Sequence, residues 1–208
     1  MKTQFDEYFI FDSISTCYEE NTLFSYNGYC GEVDSYGRVL FVIKAEEIAK
    51  ANDNSFFVKI NGKWGLYSEC FEVIIEPQYE ELRNAYNHLE ECFWAKLNNK
   101  YGIITRNNTC LTGFIYDFEY GIFDPTKGYF IVEKDNKRGV IDIYGHIIFD
   151  LIYDDIQILW SQGYVSLNGK QALINENGVF IKIDLDSLNN CIDKCNRLKN
   201  LEKSFALS

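Results

Sequence analysis

Long apolar runs, basic residues, histidine, proline and methionine are all scarce in this 208-residue chain. No window approaches the roughly 20 apolar residues that a membrane-spanning helix requires, so we expect no membrane partner. The chain begins MKTQFDEYFIFDS, and Asp6 and Glu7 lie where a signal peptide would be basic or apolar. A cytoplasmic location is therefore the expectation.

The shortage of basic residues limits the classes of partner. Lys and Arg together number 20 against 31 Asp and Glu, which gives a formal net charge of −11. An acidic chain repels phosphate backbones, and this argues against nucleic-acid binding. The charge either keeps the protein soluble or attracts a basic protein, and the charge alone does not distinguish these two readings.

The chain offers few of the residues that metal centres and nucleophilic sites need. His88 and His146 lack ligand spacing and lie in no catalytic motif. The cysteines are scattered and seven in number, which is typical of reduced thiols rather than of a disulfide framework. Cys191 and Cys195 share one face of a predicted helix but do not supply the four ligands of a structural zinc site. We therefore expect no cofactor, no metal and no enzymatic activity.

Aromatic residues are abundant, and they accompany an internal repeat. The 16 Phe and 15 Tyr favour strands. The segments NGKWGLY, NNKYGII and DNKRGVI begin at Asn61, Asn98 and Asp135, 37 residues apart, and related copies begin at Asn27 and Asn168. Such a period predicts a repeat fold. Within one domain, 1–208, we place the repeat units near 23–55, 56–91, 92–129, 130–163 and 164–183.

Each repeat unit is predicted to be a three-stranded antiparallel meander. Asn-Gly and its counterparts tolerate the positive φ angles of a two-residue type I′ hairpin. DSYG (34–37), DIYG (142–145) and NENG (175–178) fit a type I turn closed by glycine before the third strand. A connection such as Tyr79-Glu80-Glu81 then leads to the next unit. The predicted fold class is all-β, as a solenoid-like stack or twisted sheet; the alternative is a five-bladed propeller.

The hairpin register predicts which residues face each other. Gly65 faces Val58, and each other unit also pairs a small residue with an apolar one. We expect the neighbouring unit to pack closely over this glycine. On the opposite face Trp64 lies beside Lys59, which predicts a cation–π contact.

The stretch NGKWGLYSECFEVIIEPQYEEL, residues 61–82, resembles the WG repeat family. Units of that family carry Lys-Trp-Gly, a glycine turn and a Pro-x-Tyr-acid-acid segment. The matching residues here are Lys63, Trp64, Gly65, Pro77, Tyr79 and Glu80. The other units match in part, because one copy alone keeps the tryptophan and the proline. The resemblance implies a β-rich bacterial repeat protein, and it implies neither an enzymatic activity nor a defined ligand.

Two segments are predicted to be helical. KAEEIAKA (44–51) can form a short helix after the first unit. Residues 184–206 keep apolar residues along one stripe, and Asp184 or Asp186 is a suitable N-cap. We expect this C-terminal helix to cap the end of the repeats, where an open edge would invite aggregation; a docking helix for a partner is the alternative.

The candidate binding residues are aromatics that would serve if exposed, together with one pair of adjacent carboxylates. They are Trp64, Trp94, Tyr101, Trp160, Asp154 and Asp155. The acidic pair occupies the same repeat position as Glu80-Glu81, as a structural role would also predict. Adjacent strand residues point to opposite faces, which argues against a catalytic dyad.

The expected function is a non-enzymatic protein-interaction module. Its partner would be a protein, for example a basic toxin that the acidic chain masks in the manner of an immunity protein. This hypothesis rests on size, acidity and the lack of catalytic motifs. A small-ligand or glycan-binding protein with exposed aromatics is the alternative, and a hydrolase is the third hypothesis.

Overall fold

The computed structural model describes residues 11–16, 21–51, 55–85, 92–124, 128–159, 162–175 and 179–205. In this part of the chain, 18 strands precede one helix. The strands form five antiparallel sheets, in which neighbours along the chain are neighbours in the sheet. The predicted all-β class with a C-terminal helix is confirmed. The chain divides into a larger compact unit, 1–153, and a smaller one, 154–208.

The larger unit contains sheets 1 to 4. Sheet 1 comprises β1 (Ser13–Thr16), β2 (Thr22–Tyr26), β3 (Tyr29–Val33) and β4 (Val39–Lys44). Sheet 2 comprises β5 (Glu47–Lys50), β6 (Phe56–Ile60), β7 (Lys63–Tyr67) and β8 (Val73–Tyr79). Sheet 3 comprises β9 (Glu81–Asn84), β10 (Cys92–Leu97) and β11 (Lys100–Thr105). Sheet 4 comprises β12 (Phe118–Asp124), β13 (Tyr129–Lys134), β14 (Lys137–Ile141) and β15 (Ile147–Tyr153).

The smaller unit contains sheet 5 and the helix. Sheet 5 comprises β16 (Asp155–Leu159), β17 (Gln162–Leu167) and β18 (Lys170–Asn175), and the helix is α1 (Leu185–Phe205). The side chain of Asp184 accepts a hydrogen bond from the N–H of Asp186 at 3.0 Å, so Asp184 is the N-cap. Leu188 and Ile192 on this helix are exposed. No helix in the described part of the chain is both long and apolar enough to cross a membrane.

The segments predicted to connect the repeat units are themselves strands. β9, β12 and β16 each begin right after a Tyr-acid step and pair with the hairpin that follows. The segment 44–51, predicted to be helical, contains β5 instead, so that prediction is wrong. Glu47 pairs with Lys59 and Ile48 pairs with Val58. Pairing along the sheet outweighs the marginal helix propensity of so short a segment.

The five first turns have the predicted hairpin geometry. Both central residues have positive φ in every copy, for example 51° at Asn61 and 72° at Gly62. The predicted register is also confirmed, because Gly65 lies opposite Val58 and Trp64 lies opposite Lys59. The Lys59 Nζ is 5.6 Å from the centroid of the Trp64 ring, which is a cation–π distance.

The atoms packed against the repeat glycine belong to the last strand of the same sheet. The β7–β8 register shifts beside Gly65, and the resulting bulge bends β8 over it. A Cβ at Gly65 would lie 2.5 Å from the Ile75 carbonyl oxygen and 2.8 Å from the Pro77 nitrogen. At Gly139 the corresponding distance, to the Phe149 carbonyl oxygen, is 2.7 Å. β8 therefore covers the glycine itself, whereas the neighbouring sheet 1 packs on Val58 of the same face; the expected cover by a neighbouring unit holds for the face but not for the glycine.

A carboxylate caps the first turn of every sheet. Its backbone N–H donates to a strand carbonyl just before the turn, and its side chain accepts from an N–H within the turn. Asp117 Oδ2 accepts from the N–H of Asp135, the first turn residue, at 2.8 Å. Glu80 is one methylene longer and accepts from Asn99, the second turn residue, at 3.0 Å. The five capping acids are Asp12, Glu46, Glu80, Asp117 and Asp154.

Apolar clusters fill the spaces between consecutive sheets of the larger unit. Leu23 and Cys30 of sheet 1 pack with Phe56, Val58 and Tyr67 of sheet 2. A second cluster joins sheets 2 and 3 and contains Phe57, Leu66 and Ile75 with Phe93 and Ile104. A third cluster joins sheets 3 and 4 and contains Trp94 and Ile103 with Phe130, Val132 and Ile141. Sheets 2 and 3 are therefore buried on both faces.

We expect Gly65→Ala to destabilise the protein. Its Cβ would meet backbone atoms of β8 that cannot rotate away, and overpacking of this kind costs about 1–3 kcal/mol. Urea unfolding followed by circular dichroism measures the change. Ala172 holds the same repeat position opposite Val165 in sheet 5, so Ala172→Gly is the matched control, with an expected loss of about 0.5–1 kcal/mol. Equal stability of Gly65→Ala and the unmodified protein would contradict the bulge.

We also expect the capping acid Asp117 to make the fold sensitive to acid. The hydrogen bond from Lys100, with that from the Asp135 amide, lowers the pKa of Asp117. The folded chain therefore binds this proton less readily than the unfolded chain. The contribution of Asp117 is complete above the ordinary aspartate pKa of about 3.9 and disappears as the pH falls through the lowered pKa.

Asp117→Asn should accordingly lower the free energy of unfolding at pH 7 by about 0.5–1 kcal/mol and have a smaller effect at pH 3. Urea unfolding at both pH values measures the difference. Asp150→Asn is the control, because Asp150 is an exposed carboxylate of the same sheet. A loss that is the same at both pH values would refute the proposed origin of the pH dependence.

Candidate functional site

Two of the aromatics predicted to bind a ligand, Trp94 and Tyr101, belong to the core. Trp94 is 2% exposed and Tyr101 is 5% exposed, and both lie in the cluster between sheets 3 and 4. The Trp94 ring meets the Phe130 ring edge to face, with centroids 5.5 Å apart. The structure therefore brings Trp94 and Tyr101 together, but in a place that a ligand does not reach.

Tyr101 and Trp64 pair with charged side chains across their sheets. The Tyr101 hydroxyl donates to Glu81, with oxygen distances of 2.9 and 3.0 Å, and the Lys96 Nζ lies 5.0 Å from its ring centroid. Burial, followed by the hydrogen bond to Glu81, raises the pKa of Tyr101, so its hydroxyl stays neutral. Trp64 is half-buried under Lys59. These contacts stabilise each sheet and leave little aromatic surface for a ligand.

The predicted carboxylates also have structural partners. Asp154 caps a turn by accepting from the N–H of Asn168 at 2.6 Å. Asp155 accepts from the Tyr164 hydroxyl and from Gln157 Nε2, each at 3.1 Å. Trp160 lies outside the described residues. The five described site residues, Trp64, Trp94, Tyr101, Asp154 and Asp155, therefore each take part in a structural contact of the fold.

Of the two histidines considered for a hydrolase, the structure describes His146. His146 is exposed in the second turn of sheet 4, and its Nδ1 lies 2.7 Å from Asp142 Oδ2. The other histidine, His88, is outside the described residues. The described part of the chain contains no group of three or more His, Cys, Asp or Glu placed to hold a metal ion.

An apolar concavity lies on the outer face of sheet 1. It is an apolar groove with a volume of about 500 Å³. Its lining residues come from the start of the described chain and from β2, β3, the second turn and β4. They are Phe11, Phe24, Tyr26, Tyr29, Val33, Gly37, Val39 and Val42. We call this feature the sheet 1 groove.

The local sequence explains the shape of the groove. Phe24 lies opposite Gly31 on this face. A Cβ at Gly31 would be 2.6 Å from Cζ of Phe24, so the glycine allows the ring to lie flat across β3. The Phe11 ring packs on Phe24 with centroids 4.6 Å apart. These rings form an apolar floor, and Tyr29 at the rim is 46% exposed.

The corresponding face of sheet 2 is buried. Val58 of sheet 2 is equivalent to Phe24, because each lies opposite the repeat glycine. Val58 is fully buried against sheet 1. On the outer face of sheet 1, by contrast, Val42 is 53% exposed. The groove therefore lies on a face that, in the next sheet, is covered by a neighbour.

One signal in the sequence could have identified this site. The residue after the first turn is lysine in four repeat units and Tyr29 in the first. The lysines are Lys63, Lys100, Lys137 and Lys170. Lys63 lies 3.8 Å from Glu80, and Lys100 pairs with Asp117, so each contacts the acid that begins the next sheet. The replacement by Tyr29 gives the first unit an aromatic rim instead.

Comparison with known proteins indicates similarity of fold alone. No protein-family model matches this chain, and no curated protein matches it. A eukaryotic initiation factor of known structure has a TM-score of 0.55 at 13% identity, over 86% of this chain and 56% of that one. Hsv2 from Kluyveromyces lactis has a TM-score of 0.42 at 8% identity. The match covers 79% of this chain and only 59% of the Hsv2 chain. A protein of unknown function from Bacteroides caccae has a TM-score of 0.39 at 14% identity, over 82% and 80% of the two chains. The WG repeat resemblance stays a prediction.

Proposed function

We propose that this chain is a protein-interaction module that binds a basic protein through the sheet 1 groove. The observation that carries the proposal is an apolar face of sheet 1 that no described sheet of the larger unit covers, although its equivalent in sheet 2 is buried. Contiguous exposed apolar surface on a globular protein marks an interaction site. The net charge of −11 favours a cationic partner and speeds its association. A basic toxin has this chemistry, and an immunity role would follow from binding it.

Tyr29→Lys tests the proposal with a residue that the repeat tolerates. The other four units carry lysine at this position, so we expect the variant to fold. It removes the aromatic rim of the groove and adds a charge there. In capture experiments from the source organism, at least one basic protein should be enriched about tenfold by the unmodified chain and lost with the variant. Quantitative mass spectrometry measures the enrichment, and the isolated pair should dissociate more readily as salt increases.

Val73→Lys is the matched control for the capture experiment. Val73 is an exposed valine at the start of β8, so the variant adds the same charge to another sheet. It should retain the partner. The proposal is wrong if the unmodified chain and Tyr29→Lys capture the same proteins, or if the protein lost with Tyr29→Lys is acidic.

A small-ligand or glycan binder is the second candidate, favoured by the size of the groove. Its volume of about 500 Å³ is within the range of small-molecule sites. A thermal-shift screen with apolar compounds and oligosaccharides tests this function. A true ligand should raise the melting temperature of the unmodified chain and of Val73→Lys but not that of Tyr29→Lys. A uniform response of all three proteins would exclude binding in the groove.

A further inference from the structure

β4 differs from the outer strands of sheets 2 and 4 in how its edge is guarded. β8 contains Glu76, Pro77 and a bulge, and β15 contains Asp150 and a bulge. Charges, prolines and bulges are the features that keep an edge strand from pairing with another chain. β4 has neither a proline nor an acidic residue. It has a single bulge, at Leu40, and its pairing with β3 runs without a shift over 41–44, where Lys44 is its only charged residue.

The outer edge of β4 is available for pairing. In the described part of the chain, β4 pairs with β3 and with no other strand. Val39, Leu40 and Val42 are all about half exposed, whereas Phe41 and Ile43 pack against the cluster shared with sheet 2, so the strand is open on its groove face. An edge of this kind can accept the backbone of another strand.

The free edge and the sheet 1 groove occupy the same place. Val39 and Val42 belong to β4 and also line the groove. In a strand, alternate side chains point to one face of the sheet. A strand added beside β4 would therefore direct every second side chain toward the groove face, next to these two valines. One extended segment can use both features together.

We infer that an extended segment of a cationic partner protein adds to sheet 1 as a fifth strand along β4 and places alternate apolar side chains in the groove. This inference rests on the proposed function and specifies how the partner binds.

Charge identifies the occupant of this edge. The described residues of sheet 1 and its flanks, 11–16 and 21–46, contain four carboxylates, which are Asp12, Glu32, Asp34 and Glu46. They contain two basic residues, Arg38 and Lys44. A second copy of the chain would bring like charge to this edge and a further −11 overall, whereas a basic strand is attracted.

A defined peptide tests strand addition on the full chain. The probe is a capped, fluorescent octapeptide of alternating valine and lysine, and fluorescence anisotropy measures its dissociation constant. An octapeptide of alternating valine and glutamate should bind at least tenfold more weakly. Equal binding of the two peptides would refute the choice of a cationic occupant.

N-methylated versions of the probe separate strand pairing from side-chain docking. Successive residues of a strand direct their N–H groups to opposite edges, so methylation of all valines blocks one edge and methylation of all lysines blocks the other. At least one methylated peptide should bind at least tenfold more weakly. If both bind as tightly as the parent, strand addition is wrong.

Variants of the chain locate the peptide. Val42→Lys puts a charge on the free edge and should weaken binding at least tenfold, whereas Val73→Lys on β8 should leave it unchanged. Circular dichroism checks that both variants are folded, and Tyr29→Lys supplies a second variant of the groove. Equal binding to all these proteins would overturn the assignment. Sedimentation of the unmodified chain alone tests whether a second copy of the chain occupies the β4 edge. A dimer that Val42→Lys abolishes would show that a second copy, and not a partner strand, pairs with β4.

The outcomes distinguish this inference from the proposed function. In one outcome the parent peptide binds, loses its binding with Tyr29→Lys and keeps its binding after either methylation. In that case the groove is a binding site and strand addition is wrong. If the parent peptide does not bind, strand addition is again wrong. The capture experiment with Tyr29→Lys then decides the proposed function independently, because it does not depend on the mode of binding.

Discussion

The carboxylate that caps each first turn is the contact on which the repeat depends. In three of the five sheets, at Glu80, Asp117 and Asp154, it directly follows a tyrosine that ends the pairing of the preceding sheet. Tyr79 pairs with Trp64 in sheet 2, and the next residue, Glu80, accepts a hydrogen bond from Asn99 in sheet 3. Two adjacent residues thus attach the chain to two successive sheets. Their positions fix where the new sheet starts, and the apolar cluster between the two sheets follows from that placement.

The bulge in the last strand of a sheet also directs the chain toward the next sheet. It brings β8 back over Gly65, and a residue with a Cβ at that point would collide with backbone. Glycine is therefore required by the fold, and Pro77 is tolerated because a bulge interrupts the ladder of hydrogen bonds. The lysine after the turn is less constrained. Its exposed pairing with the next acid contributes about 0–1 kcal/mol, so Tyr29 can replace it without loss of the fold.

The features that sequence predicted correctly are local, and those it missed depend on neighbouring sheets. The Asn61-Gly62 turn and the Lys59–Trp64 pair follow from a few adjacent residues, as does the N-cap at Asp184. The strand at 47–50 was missed because its partner, β6, lies outside the segment. The sequence predicts Trp94 as a ligand-binding residue because nothing near it in the chain reveals that sheet 4 buries it. The candidate site was missed altogether, although Tyr29 departs visibly from the lysine of the other units.

The position of sheet 1 in the larger unit explains why one of its faces is open. Inside the larger unit, each sheet after the first has a preceding sheet to cover it, as Leu23 and Cys30 of sheet 1 cover Val58 of sheet 2. Sheet 1 has no predecessor in residues 11–153, so Phe24 and the residues around it are released from packing against one. A partner that supplies apolar side chains to Phe24 would do what a preceding sheet does elsewhere in the unit. Binding at this face would then repeat the contact between consecutive sheets, with a second chain in place of the preceding sheet.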